Sequence, residues 1–164
     1  MISKGTPLGD EAAQYIAEAK FLRAMYYFDM VRAWGDVPLV LTPVTVSESY
    51  SIARTPATEV YGQIVQDLKD AAGTLPPKTS ERFVGAATCD AANALLGKVY
   101  LTLGDKSTAA IYLNKVYGKF ELENKYEDLW NLNNKNCKES IFEIQYATTT
   151  SSSQPYSKYW SLFT

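Results

Sequence analysis

The residues of this sequence that could do chemistry are aromatic side chains placed beside short polar ones. Tyr50 lies in the long loop predicted over 36–54, and Trp130 is followed by asparagines at positions 131, 133 and 134. Three more aromatic residues follow a run of threonine and serine: Tyr156, Tyr159 and Trp160. Aromatic rings can lie on the C–H face of a sugar, and amide or hydroxyl groups can bind its hydroxyls. We take these five as candidate ligand contacts, with packing in a protein core as the alternative.

The sequence lacks the residue combinations that the common catalytic sites need. The sequence has no histidine, which removes Ser-His-Asp and Cys-His catalysis and every histidine-ligated metal site. It has no phosphate-binding loop of the GxxxxGK[ST] type and no recognisable pair of catalytic carboxylates. Glu18 and Arg23 are five residues apart and so do not face each other along a helix; we expect each to pair with a different neighbour. We predict no catalytic residue, cofactor or metal.

Composition narrows the class of protein further. The net charge is −2, which argues against nucleic-acid binding. No apolar run approaches the roughly 20 residues that span a bilayer, and residues 2–7 contain no apolar signal core. Cys89 and Cys137 lack the spacing of a metal knuckle or a CxxC motif. Two free thiols, or one disulfide in an oxidising compartment, both remain open.

The elements that must position these residues are mainly helices. Apolar residues at three- and four-residue steps predict helices over about 10–34, 56–74, 89–103 and 107–117. Prolines interrupt the apolar stretch 36–54, which predicts a loop. Apolar and polar residues alternate over 139–146, which predicts a short strand. Tyrosines at helical spacing are predicted to lie in the core, and Trp34 is predicted to pack under this loop. These tyrosines are Tyr15, Tyr26, Tyr61, Tyr100 and Tyr112.

The last two predicted helices carry a tetratricopeptide-like pattern. Leu96-Gly97-x-x-Tyr100 is followed by Ala109 and Leu113. In such a repeat the glycine allows two helices to approach closely, and the tyrosine fills the gap between them. The position usually held by tryptophan is Asn93, so the match is partial. The pattern predicts antiparallel helix pairs, with a generic helical hairpin as the alternative.

Five stretches, in order, resemble the SusD/RagB family. They are EAKFLRAMYYF at 18–28, WGDVPL at 34–39, RTP with EVY at 54–61, AAT through LLGKVYL at 86–101, and ESIFEI at 139–144. Any one of these motifs would be weak evidence of relationship, but their order and spacing match together over about residues 15–147.

The resemblance implies an all-α fold of tetratricopeptide-like helix pairs with irregular loops. It also implies a non-enzymatic lipoprotein at the surface of the outer membrane of a Gram-negative bacterium. Such a protein binds a glycan or other nutrient and hands it to a TonB-dependent transporter of the SusC type. No family ligand residue matches a position here.

Family members are longer than this chain and carry a lipidated N-terminal cysteine. We therefore expect residues 1–164 to form a single domain from a longer protein, with the lipid anchor outside this chain and some self-association of the piece. The alternative function is a tetratricopeptide-type scaffold that binds a peptide in a helical groove.

Overall fold

A computed structural model describes residues 11–131 and 133–145, and these residues form helices joined by loops. The helices are α1 (Ala12–Trp34), α2 (Val46–Ser49), α3 (Ala57–Thr74), α4 (Cys89–Thr102) and α5 (Lys106–Asn114). Two 3-10 turns cover Lys78–Ser80 and Tyr126–Trp130. The only extended pairing within the described ranges is a single antiparallel bridge between Val37 and Thr55.

Helices α1 and α3 pack along each other and run antiparallel. Near the start of the contact, Lys20 of α1 binds Asp70 near the end of α3. Farther along α1, the ring of Phe28 meets that of Tyr61, near the start of α3, at 6.3 Å. Between these contacts, buried residues at three- and four-residue steps on both helices fill the core, as the periodicity predicts. They are Ala17, Phe21, Ala24, Phe28 and Val31 of α1, and Val60, Ile64, Leu68 and Ala71 of α3.

Helices α4 and α5 form an antiparallel hairpin whose α4 face joins the same core. Leu96 and Val99 of α4 are fully buried with the α1 and α3 residues. Tyr100 stacks on Tyr112 with ring centroids 5.5 Å apart and planes 5° from parallel. Gly97 faces Leu113 so closely that a Cβ atom at position 97 would lie 2.5 Å from that side chain. The missing side chain therefore sets how near the two helices come.

The loop between α1 and α3 is held against α1 by polar contacts. Gly35 ends α1 with a φ of 71°, a conformation that glycine adopts without strain. The hydroxyl of Tyr27 accepts a 2.7 Å hydrogen bond from the Val40 N–H, and Arg23 donates to the Leu41 carbonyl at 3.3 Å. The Asp36 carboxylate accepts from the Ala57 N–H at 2.8 Å, so this loop also caps the start of α3.

The strand predicted over 139–146 is not formed in its described part, residues 139–145. This segment lies on the helical core instead. The Phe142 ring meets the Phe21 ring edge-on at 5.0 Å, and the Glu143 carboxylate accepts the Asn136 N–H at 3.1 Å. The alternation is therefore not expressed as two faces: Phe142 packs on the core, whereas Ile144 is 49% exposed, and no strand pairs with residues 139–145.

Candidate functional site

A pair of exposed aromatic rings stands on the 3-10 turn Tyr126–Trp130. Tyr126 is 74% exposed and Trp130 is 66% exposed. Their ring centroids are 6.0 Å apart and their planes meet at 66°. An edge-to-face pair of this kind is favourable by about 0.5–1.5 kcal/mol, so each ring helps to orient the other. We call these two residues the aromatic pair.

Short polar groups border the aromatic pair. The Asn134 amide donates to the carbonyl of Asp128 at 3.1 Å, and this ties the asparagine cluster to the turn. The Asn133 N–H donates to the side-chain oxygen of Asn131 at 3.0 Å. The result is an apolar ring surface on the same turn as amide donors and acceptors, groups that can contact the C–H face and the hydroxyls of a sugar.

Tyr50 lies on a different part of the surface and is 87% exposed. It ends α2, a single turn whose start is fixed by a capping box between Thr45 and Glu48. Hydrogen bonds from the Thr45 N–H and hydroxyl lower the pKa of Glu48. In the described part of the chain, Tyr50 takes part in no aromatic pair, so the structure supplies it with no second ring.

The structure therefore brings Trp130 together with a residue that the sequence analysis did not single out, Tyr126. The sequence does contain a signal for this pair, because its two aromatic residues are four positions apart. Tyr156, Tyr159 and Trp160 lie outside the described residues, so their proposed role in ligand contact stays a prediction.

Two aromatic residues predicted to be buried are exposed. Trp34 is 71% exposed and Tyr26 is 55% exposed. The loop after α1 turns back toward Tyr27 and Arg23, which leaves Trp34 at the helix end uncovered. Tyr26 lies between the buried positions of α1, and its ring faces outward. The other predicted core tyrosines are partly buried: Tyr15, Tyr61, Tyr100 and Tyr112.

Glu18 and Arg23 each pair with a different neighbour, as expected. Glu18 accepts from Arg82 at 3.0 Å. Arg23 makes two 2.7 Å bonds to the carboxylate of Asp67, and the Gln63 amide donates to the same carboxylate at 2.9 Å. The hydrogen bond to Asp67 is the main cause that raises the pKa of Arg23. These charges join elements of the fold and are not arranged around a cavity for catalysis.

Residues 11–131 and 133–145 contain no group of three histidine, cysteine, aspartate or glutamate side chains that could hold a metal ion. None of the helices described there combines the length and apolar character needed to cross a membrane. Cys89 and Cys137 are both free thiols, and burial raises the pKa of Cys89.

Comparison with known proteins decides the family. A family model described as "Starch-binding associating with outer membrane", SusD-like, matches residues 2–101. The chain belongs to the SusD-like family. It is 35% identical to SusD-like protein P2 of Formosa agariphila over 84% of this chain and 28% of that protein. A SusD-like protein of Bacteroides ovatus is 31% identical over 80% of this chain and 26% of that protein.

Solved structures agree with this SusD-like assignment. A laminarin-binding SusD-like protein superposes with a TM-score of 0.79 and 37% identity, over 87% of this chain and 33% of that one. A SusD-like protein from Bacteroides fragilis superposes with a TM-score of 0.75 and 35% identity, over 84% of this chain and 28% of that one. The chain spans just over a quarter of the length of the curated relatives above.

Proposed function

We propose that this chain is the helical part of a longer surface protein that binds a glycan or other nutrient at the outer membrane. In this proposal the longer protein acts without catalysis and hands its ligand to a TonB-dependent transporter of the SusC type. The observation that carries the proposal is the SusD-like match over residues 2–101, whose description includes starch binding and the outer membrane. The similarity to a laminarin-binding protein supports a glycan as the ligand.

Within this chain we propose the aromatic pair and its asparagines as one glycan contact. An exposed tryptophan is costly to keep in water, and here it stands beside a second ring and several amide groups. Tyr50, Tyr156, Tyr159 and Trp160 complete the proposed set of ligand residues.

The helix pairing is proposed to be tetratricopeptide-like. Three observations support this arrangement for α4 and α5. Gly97 closely approaches Leu113, Tyr100 stacks on Tyr112, and Ala109 is completely buried. In such a pair the small residues allow backbone proximity and the tyrosine fills the remaining space.

Affinity electrophoresis of the 164-residue chain in gels that contain laminarin, starch or no glycan tests the binding proposal. We expect at least one glycan to retard the chain, and the double variant Tyr126→Ala, Trp130→Ala to lose most of that retardation. Loss of one stacking ring should weaken binding by about tenfold, given the free energy of an aromatic contact.

Trp34→Ala is the matched control, because Trp34 is exposed to nearly the same degree as Trp130 and lies away from the asparagine cluster. It should migrate like the unchanged chain in every gel. Equal loss in the control and the double variant, or no retardation by any glycan, would count against the aromatic pair as a contact.

A peptide-binding scaffold is the second candidate, and the α4–α5 hairpin is the observation that favours it. A pull-down with the chain as bait separates the two functions. Recovery of a TonB-dependent transporter supports the first proposal, whereas a stoichiometric intracellular partner supports the second.

A further inference from the structure

A concave site lies around the side chains of Lys119 and Phe120, next to the start of α4. One cavity of about 370 Å³ is lined by Pro77, Lys78, Thr79, Asp90, Lys119 and Phe120. An adjoining cavity of about 310 Å³ shares Lys78, Lys119 and Phe120 with it. Ligand pockets begin at about 300 Å³, so the first cavity has room for a single monosaccharide.

The base of this site is a buried carboxylate. Asp90 is 2% exposed, and it accepts from the Lys78 N–H at 2.8 Å and from the Lys119 ammonium at 2.7 Å. With both bonds made and almost no surface exposed, Asp90 holds the Lys119 ammonium in place at the cavity and does not itself face a ligand. Half of the Lys119 side chain is exposed, and an ammonium has three donors, so Lys119 can donate to a ligand as well.

The charges around the site are balanced. Lys78 pairs with Glu81 at 3.1 Å, Lys119 pairs with Asp90, and Lys138 lies 3.9 Å from Glu121. A free anion would have to compete with a carboxylate for each of these lysines. A neutral ligand avoids this competition, because its hydroxyl can accept from an ammonium that stays paired with its carboxylate.

We propose that this cavity binds one neutral pyranose unit, with a hydroxyl accepting from the Lys119 ammonium and the C–H face against Phe120 and Pro77. The site is separate from the aromatic pair in sequence and in its lining residues. The inference rests on the proposed function only for the choice of a sugar as the ligand. Its test below measures NMR shifts of single amides, whereas the proposed function is tested by retardation in gels.

Two-dimensional ¹H–¹⁵N NMR of the 164-residue chain tests the site directly. Titration with methyl β-D-glucoside or methyl β-D-galactoside should shift the amide signals of residues 77–79 and 119–120 in a saturable way. Sodium D-glucuronate, an anion of similar size, should shift them less at equal concentration. Stronger shifts with glucuronate, or no saturable shift with either glycoside, would overturn the proposal.

Two variants separate ligand contact from folding. Phe120→Leu keeps an apolar side chain but removes the ring face, and Lys119→Met removes the ammonium. Each should weaken glycoside binding by about tenfold, the effect of one stacking contact or one charge-assisted hydrogen bond. Because Phe120→Leu leaves Asp90 paired with Lys119, it keeps the test decisive if Lys119→Met unfolds.

Lys115→Met is the control, since Lys115 lies four positions earlier and contacts the Tyr112 ring instead of the cavity. The double variant of the aromatic pair should also keep its glycoside-induced shifts at residues 119–120, even where polymer binding is lost. Unchanged glycoside affinity in Phe120→Leu would refute the site while leaving the proposed function intact.

Discussion

At the scale of single residues, the most consequential groups are charged side chains buried among apolar ones. Asp67 and Asp90 are both almost fully buried, and burial of a carboxylate is costly unless it is paired and hydrogen-bonded. Arg23 satisfies Asp67 from a neighbouring helix, and Lys119 with the Lys78 backbone satisfies Asp90 from two loops. Each carboxylate therefore joins segments that are distant in sequence.

Arg23→Met should destabilise the fold strongly, because it leaves the Asp67 carboxylate buried with only the Gln63 amide as partner. We expect the free energy of unfolding to fall by about 3 kcal/mol, measured by urea denaturation. Lys125→Met is the control, since Lys125 and Glu127 are both largely exposed; its effect should be within about 0.5 kcal/mol. Similar effects of the two variants would contradict the anchoring role of Arg23.

Asp105 makes the stability of α5 depend on pH. Hydrogen bonds from the Thr108 hydroxyl and N–H, together with Ser107, lower the pKa of Asp105 from 3.8 to about 2. Because folding depresses this pKa, the carboxylate contributes stability above its unfolded pKa and loses that contribution as the pH falls toward 2. Thermal melts should show the unchanged chain more stable than Asp105→Asn above pH 4, with the difference shrinking between pH 4 and 2. A difference that does not depend on pH in this range would contradict this.

At the scale of helices, close approach of α4 and α5 depends on the absence of a side chain at position 97. Both Gly97 and Gly62 lie inside helices, yet their surroundings differ. A Cβ at 97 would press on Leu113, whereas a Cβ at 62 would meet nothing within 4 Å. A side chain added at these two positions should therefore have opposite effects on the free energy of unfolding.

Gly97→Val should push α5 away from α4 and lower the free energy of unfolding by about 1–3 kcal/mol, the usual effect of overpacking. Gly62→Ala should raise it by up to about 1 kcal/mol, because alanine favours a helix more than glycine does. Chemical denaturation of both variants gives the comparison. A neutral Gly97→Val variant would show that the hairpin does not need this close contact.

At the scale of the whole molecule, a large part of the apolar surface of the α4–α5 hairpin is exposed. Leu101, Leu103 and Ile111 are 47–60% exposed, and Tyr117 and Leu122 are 77–87% exposed. Exposed apolar side chains in this number, on the hairpin and just after it, favour association in water. The curated relatives are more than three times as long as the matched part, and we propose that in the longer protein other segments cover this surface.

The 164-residue chain should therefore self-associate or be only marginally stable. Sedimentation velocity at increasing concentration should show a growing oligomer fraction, and Leu101→Lys with Ile111→Lys should reduce it. Val46→Lys is the control, because Val46 is 76% exposed but belongs to α2 instead of the α4–α5 hairpin. A monodisperse monomer with a high melting temperature would be the contrary result.

Local physics allowed much of the helical architecture to be predicted from the sequence. Apolar periodicity placed α1 within two residues at its start, and Thr88 caps α4 where its hydroxyl accepts the Ala91 N–H at 3.2 Å. Such signals act between residues a few positions apart and can be read along the chain. The start of α3 shows the limit: Thr55-Pro56 is the local pattern of a helix start, but the Ala57 N–H binds Asp36, which lies 21 positions before Ala57.

The sequence by itself determined the absence of histidine chemistry, the approximate positions of α1, α3, α4 and α5, and the family resemblance, since these depend on residue identity and short spacing. It missed the single turn α2 inside the stretch predicted as a loop. Only the tertiary structure decided which aromatic rings are exposed, that Tyr126 partners Trp130, and that Lys78, Asp90 and Lys119 converge on one cavity. Solvent exposure and convergence depend on how helices and loops pack over long sequence separations. A periodic pattern shows which face of a helix is apolar, but it does not show where the rest of the chain covers that face.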